Sequence, residues 1–327
     1  MEKMRIEDIV YGSEEIQEPV LVELISSGPV QRLKGLHQYG MPDEYYRRDK
    51  PNFSRYDHSI GVMILLKRLG ANLEEQVAGL LHDVSHYTFS HVVDWMFGDP
   101  TKEDFQDRNH SPFIKNSVIP LILEYYKFDH QKVSSHHSFS LLDREIPNLC
   151  ADRVDYALRE LATDGISVRD FVDNLRNKEG RMVFGDIRIA DTFAREFLRL
   201  NHDHWGGADA RMRYSILSEV LKKAVTLGVL SVKDFLRTDY EVIALLRNSD
   251  DSFIQENLNL LREGFRVEEV SEGGILLPKK FRYVDPLVSS NGSVQRLSEI
   301  SPDFSVFIEQ EKEKATIKRR YVLCPVV

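Results

Sequence analysis

Eight of the eleven histidines in this chain, His58, His82, His86, His91, His110, His130, His136 and His137, lie between residues 58 and 137. A single histidine is usually structural, but here the imidazoles come with carboxylates in a repeated context. His82-Asp83 ends the apolar run Val77 to Leu81, Asp57-His58 precedes another apolar run, and Asp152 opens Ala151-Asp-Arg-Val-Asp-Tyr-Ala-Leu158. Three segment ends of this kind can converge at the mouth of a core. Two neutral imidazoles (His58, His82) and two carboxylates (Asp83, Asp152) then make a site of intermediate hardness for a divalent ion, Mn, Fe, Ni, Co, Zn or Mg, with coordination positions left open for water and substrate. A core histidine at position 58 and a helix cap at 82–83 explain each residue separately; they do not explain why the segments share one pattern.

Helices must position these groups. Apolar residues recur at three- and four-residue spacing from about Ile16 to Leu261, as in Val77, Ala78, Leu80, Leu81 and Ile216, Leu217, Val220, Leu221, so the chain reads as mainly α. The pattern predicts a helix over Ser59 to Leu69 closed by Gly70, with Asn72 and Glu75 as a capping box for the next. His91 and Asp94, three apart on a helix starting after Ser90, share a face, and the carboxylate can orient the imidazole. Alternation around Gly185-Asp186, within residues 180–190, predicts a small β-hairpin. After Gly264 the texture turns to short apolar stretches with Gly273-Gly274 and Asn291-Gly292 as turns, giving a division into a helical body, residues 1–265, and a β-containing C-terminal region, residues 266–327. The basic run Lys312 to Arg320 reads as a solvated helix or strand edge.

The segments Arg55-Tyr-Asp-His58, Ala78-Gly-Leu-Leu-His82-Asp83-Val-Ser-His86-Tyr-Thr-Phe-Ser-His91 and Asp152-Arg-Val-Asp-Tyr156 resemble the HD-domain metal-dependent phosphohydrolases, over about residues 18–165. Within that superfamily the histidine-rich turn is most similar to the dNTP triphosphohydrolase branch. The resemblance implies a helical HD bundle with His58, His82, Asp83 and Asp152 on one metal ion. It also implies a catalytic His91–Asp94 dyad, phosphate contacts from His86, His110 and Arg55, and a nucleotide near Gln38, Tyr39, Arg153 and Tyr156. The region Phe197 to Gly207, with His202 and His204, lacks the Arg-Asn-x-x-His pattern that grips outer phosphates in that branch. A second order, His58, His82-Asp83, His110, His136-His137, Asp152, imitates the two-metal cyclic-dinucleotide phosphodiesterases and would place a second ion on His110 and His136. A further alternative is a non-catalytic nucleotide-binding module, which could dispense with His91 or Asp94.

Composition narrows the partners. The chain has 327 residues, 42% of them hydrophobic, enough for a large core without staples, and only two distant cysteines, Cys150 and Cys324. The charged start, Met1 to Asp8, and the lack of any run near the ~20 apolar residues of a membrane span give the expectation of a cytoplasmic protein. The Asn52 and Asn109 sequons are then chance matches. A net charge of −9 disfavours long nucleic acid and favours a small phosphorylated substrate. Family resemblance adds the expectation of a homo-oligomer.

Overall fold

Local capping decides where the site-bearing helices begin. Ser54 Oγ accepts from the Asp57 amide at 3.1 Å while Asp57 Oδ2 accepts from the Ser54 amide at 2.9 Å, a complete capping box. The helix therefore runs Arg55–Arg68, four residues earlier than the apolar pattern predicts, because Ser-x-x-Asp rather than the first apolar residue sets its start. Arg55 and His58 consequently sit on its first turn, one above the other.

The computed structural model describes residues 3–46, 51–290 and 292–325; Asn291 of the expected Asn291-Gly292 turn lies outside them. Asn72 caps the Leu73–Leu81 helix by accepting from the Glu75 amide at 2.9 Å. Glu75, however, does not complete the box. Its buried carboxylate accepts from the Leu141 and Leu142 amides at 2.7 and 3.1 Å, and the carbonyls of these two residues accept from the Ala151 and Asp152 amides. The cap region of one helix thus fixes the start of the Ala151–Thr163 helix.

The fold is mainly helical with small sheets. The hairpin falls one strand earlier than expected: Leu175–Lys178 pairs with Arg181–Phe184 around Glu179-Gly180, and Gly180 has φ +73°. Gly185-Asp186 instead leads into the Ile187–Leu200 helix, which Asp186 caps by accepting from the Arg188 amide at 2.7 Å. A short acidic cap and a turn residue look alike in sequence, since both compete for local amides.

Two apolar clusters form the interior. The first joins the Met4–Asp8/Gly12–Ile16 hairpin to the helices Arg55–Arg68, Leu73–Leu81, Ala151–Thr163 and Ile187–Leu200, with Val62, Leu80, Leu158 and Phe197 fully buried. The second joins Tyr39, Met41, Tyr45, Tyr46, Phe53 and the helix Val92–Phe97 to the helices Ala208–Thr226, Asp239–Arg247 and Ser252–Glu263.

Buried side chains of the described C-terminal residues join both clusters. Leu297, Phe304 and Ile308 bury in the first cluster, whereas Leu277 and Tyr321 bury in the second. Leu287–Ser290 pairs in parallel with Arg181–Phe184, and Arg320–Pro325 pairs with Phe265–Val270. The basic run at 312–320 spans the end of the Pro302–Thr316 helix and the start of that strand. Among the described residues, no helix is long and apolar enough to cross a membrane.

Candidate metal centre

Where the helices Arg55–Arg68, Leu73–Leu81 and Ala151–Thr163 meet, His58 Nε2 lies 3.2 Å from His82 Nε2, and Asp152 Oδ1 lies 3.0 and 3.6 Å from these two atoms. Asp83 completes the group, its Oδ1 3.5 Å from His82 Nε2 and its Oδ2 3.9 Å from His58 Nε2. The other ring nitrogens are tied off. His58 Nδ1 donates to Asp155 Oδ2 at 2.8 Å and His82 Nδ1 donates to the Gly79 carbonyl at 2.7 Å. With both Nδ1 atoms acting as donors, the Nε2 atoms of His58 and His82 face each other, Asp152 and Asp83, a cluster of acceptors in which Asp83 is also met from behind by Arg55 and His86. Such a donor set fits a divalent cation, and the outer hydrogen bonds hold each imidazole in the tautomer a metal requires.

The electrostatics agree. Burial opposes the charge of Asp83, yet Arg55, 2.6 Å away, and His82 hold its carboxyl well below the usual range. His58 and His82 likewise hold Asp152 below its ordinary value against burial. For His82 burial pushes down, but Asp83 and Asp152 outweigh it and raise the imidazole from 6.5 to about 9; His58 is raised as well. Without metal, a proton stands in for the cation. A raised histidine pKa contributes stability that is fully present below about 6.5 and lost as pH rises through about 9. Metal must displace that proton, so its apparent affinity rises with pH over the same interval. Calorimetric melting should therefore show the metal-loaded and chelator-treated proteins closest in Tm near pH 6 and furthest apart near pH 9.

Around this centre lies a cleft of about 480 Å³. Arg55 is 3% exposed, donates from Nε to Ser90 Oγ at 2.9 Å and from Nη1 to Asp83, and keeps a buried Nη2 with no hydrogen-bond partner among the described residues. His86 Nε2 is 3.2 Å from Asp83 Oδ1; burial, reinforced by Arg55, lowers its pKa to about 3. His86 Nε2 thus donates to Asp83. His91 Nδ1 is 3.3 Å from Asp94 Oδ2, and Asp94 Oδ1 accepts from the Phe105 amide at 3.0 Å. Burial also lowers His91, which leaves a neutral imidazole on the cleft wall.

Gln38, Tyr39, Arg153 and Tyr156 all line the cleft. Gln38 Oε1 is buried without a hydrogen-bond partner among the described residues. Tyr39 stacks on Tyr46 at 5.0 Å and meets Phe53 edge-on at 5.6 Å. Tyr156 meets Trp205 edge-to-face at 4.9 Å. Arg153 spends its Nη1 on the Arg144 and Asn148 carbonyls, so part of its role is to hold the loop ahead of Asp152.

His110 does not line the cleft. It is 1% exposed, with Nδ1 2.9 Å from Ser85 Oγ, because the Phe105–Lys115 helix turns it under the histidine-rich turn. His137 Nδ1 pairs with Asp143 Oδ2 at 2.6 Å on an exposed loop, and the side chain of His136 lies outside the described residues. Among the described residues, ligating side chains come close enough to share an ion around His58, His82 and Asp83, and the alternative of a second ion on His110 and His136 has no such group around His110.

Sequence reasoning missed the cleft residues Trp205, Tyr214, Glu103, Lys280 and Arg282. Trp205 ends a π-helical turn, Asn201–Trp205, in which His204 binds Glu160 and His202 binds Glu311. That region therefore supplies an aromatic wall in place of phosphate-gripping cations. The available signal for the others was Lys280-Phe-Arg282, two cations at alternate positions.

Comparison with known proteins matches the HD domain to residues 55–157. The chain is 39% identical over 291 residues to the uncharacterized protein YdhJ of Bacillus subtilis, covering 87% of this chain and 88% of that protein. It is 33% identical over 304 residues to a metal-dependent phosphohydrolase of Cordyceps militaris, covering 89% and 86%. A shorter match, 34% over 107 residues, 28% of this chain and 18% of the relative, is to the bovine deoxynucleoside triphosphate triphosphohydrolase SAMHD1. The fold is shared along the whole chain with a solved phosphohydrolase of Bacteroides thetaiotaomicron, at TM-score 0.69 and 18% identity, covering 99% of this chain and 100% of that one. The acceptor cluster, its tied-off imidazoles and the 33% identical relative agree, and the chain belongs to the HD-domain metal-dependent phosphohydrolases.

Proposed function

We propose that this phosphohydrolase acts on a nucleotide or a similarly small phosphoester, with a deoxynucleoside triphosphate as the finer candidate raised by the partial similarity to SAMHD1. The observation that supports it most is Arg55, whose Nη2 is buried in the cleft wall beside Asp83 with no hydrogen-bond partner among the described residues. A buried unsatisfied guanidinium donor is costly, and a phosphoryl oxygen satisfies it. At the other walls, the tyrosines 39 and 46 and Trp205 offer flat apolar surface, and Gln38 offers an acceptor for a base or sugar.

In this reading His58, His82, Asp83 and Asp152 hold one ion, which when bound polarises a phosphoryl oxygen and lowers the pKa of water. His86 keeps Asp83 oriented by its hydrogen bond. Arg55 neutralises charge that develops on the transferred phosphoryl group. His91, neutral and oriented by the Nδ1–H that Asp94 accepts, carries a lone pair at Nε2 that can take a proton from the attacking water. His110 supports Ser85 and is not assigned a contact with substrate.

A release screen for phosphate, pyrophosphate and triphosphate, across dNTPs, NTPs, monophosphates and cyclic dinucleotides with Mn, Fe, Ni, Co, Mg and Zn, tests the reading. Turnover of a nucleotide that disappears in the His82→Ala/Asp83→Ala protein is the expected result. Triphosphate from a dNTP supports the finer candidate, orthophosphate from a monophosphate replaces it with a nucleotidase, and turnover of non-nucleotide phosphoesters alone overturns the nucleotide assignment.

A further inference from the structure

The segment from Leu277 to Pro286 contributes to the cleft wall and is anchored at both ends. The Leu277 carbonyl accepts from Arg211 Nη1 at 2.9 Å, and the Asp285 amide donates to the Pro147 carbonyl at 3.0 Å. Arg296 reinforces the far end, donating to the Asp285 carbonyl at 2.8 Å and to Asn148 Oδ1 at 2.7 Å. Between the anchors, Lys280 and Arg282 occupy alternate positions and both line the cleft.

Opposite them stands Glu103. It forms an ion pair with Arg282 and lies 3.6 Å from Lys280 Nζ, which also donates to the Lys102 carbonyl at 2.7 Å. Glu103 and Arg282 are largely buried, at 12% and 17% side-chain exposure. Glu103 has φ +54°, a left-handed conformation that L residues rarely adopt and that persists where surrounding contacts impose it. The two cations are close enough to the catalytic groups for their charges to be felt there, Arg282 at His91 and Lys280 against Asp94 and Asp152.

We propose that Lys280 and Arg282 form an anion subsite for non-bridging phosphate oxygens of the substrate, and that Glu103 fills this subsite until the substrate phosphate displaces it. The proposal rests on the phosphohydrolase assignment only in naming phosphate as the ligand. Its consequence for substrate class follows from charge. A terminal phosphate dianion outcompetes the single charge of Glu103, whereas a phosphodiester monoanion has no charge advantage, so monoesters and polyphosphates are preferred to cyclic dinucleotides. The subsite also supplies, from the C-terminal region, the cations that Asn201 to Trp205 does not contribute.

Titration calorimetry of inorganic phosphate into the metal-loaded full chain, with metal content measured for every variant, tests this. Arg282→Ala and Lys280→Ala are each expected to weaken phosphate binding roughly tenfold or more at unchanged metal content, and Arg282→Lys less than Arg282→Ala, as for a lost charge-assisted hydrogen bond. Glu103→Gln is expected to tighten phosphate binding severalfold, a gain that misfolding cannot imitate. Equal phosphate affinity in the unaltered and Arg282→Ala proteins, or weaker binding in Glu103→Gln, overturns the proposal. Arg282-dependent phosphate binding in a protein that leaves every nucleotide intact would preserve the subsite and remove only the nucleotide reading. Nucleotide turnover with phosphate binding indifferent to Arg282 would do the reverse.

Discussion

Asp83→Ala is expected to lower kcat/KM on any phosphoester substrate by about three orders of magnitude or more and to release the metal. Metal polarisation of a phosphoryl oxygen contributes several kcal/mol to transition-state stabilisation, and about 4 kcal/mol corresponds to roughly a thousandfold in rate. Asp83 does more than face the ion. It accepts from Arg55 Nη1 at 2.6 Å and lies 3.2 Å from His86 Nε2. Alanine therefore also leaves the 3% exposed Arg55 as an uncompensated buried charge, a loss on the order of 3–5 kcal/mol of stability. Asp83→Asn separates the two roles: its amide oxygen still accepts from Arg55, so Tm should recover much of the loss while metal content and activity stay low. Metal analysis, melting and turnover of both variants decide this. Retention of stoichiometric metal by Asp83→Ala would remove Asp83 from the ligand set.

The second large effect is expected one layer out. Asp155 is fully buried; its Oδ2 accepts from His58 Nδ1 at 2.8 Å and from Arg159 Nε at 2.7 Å, and Arg159 Nη2 donates to Asp8 Oδ2 at 2.6 Å. Burial opposes the Arg159 charge, but Asp155 and Asp8 outweigh it and raise the guanidinium above its ordinary value. Gly61 makes room for this chain, since a Cβ there would collide with Arg159 and Asp155. Asp155→Ala should weaken metal binding about 10- to 100-fold, the usual result of losing the carboxylate behind a metal-binding histidine. It should also cost about 3–5 kcal/mol of stability, because among the described residues Arg159 keeps Asp8 alone as an ion-pair partner. Asp155→Asn, which can still accept from His58, should keep most of the metal affinity. Competition with a chromogenic chelator measures the first quantity and denaturant unfolding the second. Unchanged metal affinity in Asp155→Ala would show that His58 is oriented by its helix alone.

Much of the centre was legible because ligand residues occur as local patterns. His82-Asp83 at the end of an apolar run and Asp152 at the head of another announce helix ends, and helix ends at a core converge. The start of the first ligand-bearing helix was misplaced because Ser54 and Asp57, both polar, carry the cap while the apolar period begins later. The hairpin slipped by a strand because Asp186 caps a helix with the same side-chain chemistry that makes turns.

Sequence by itself determined the helical class and the phosphohydrolase family, and it pointed to His58, His82, Asp83 and Asp152 as residues to be brought together. Only the tertiary structure decided that His110 lies under Ser85 and not in the cleft, and that the pKa of His86 is pushed down, because burial and the charge of Arg55 depend on packing. Only the tertiary structure brought Glu103, Lys280 and Arg282 together, with 176 residues of chain between the first two. Ligand patterns are local and survive in the order of residues. Desolvation, charge pairing and the closing of a cleft are sums over neighbours from distant segments, and those neighbours are chosen only when the chain folds.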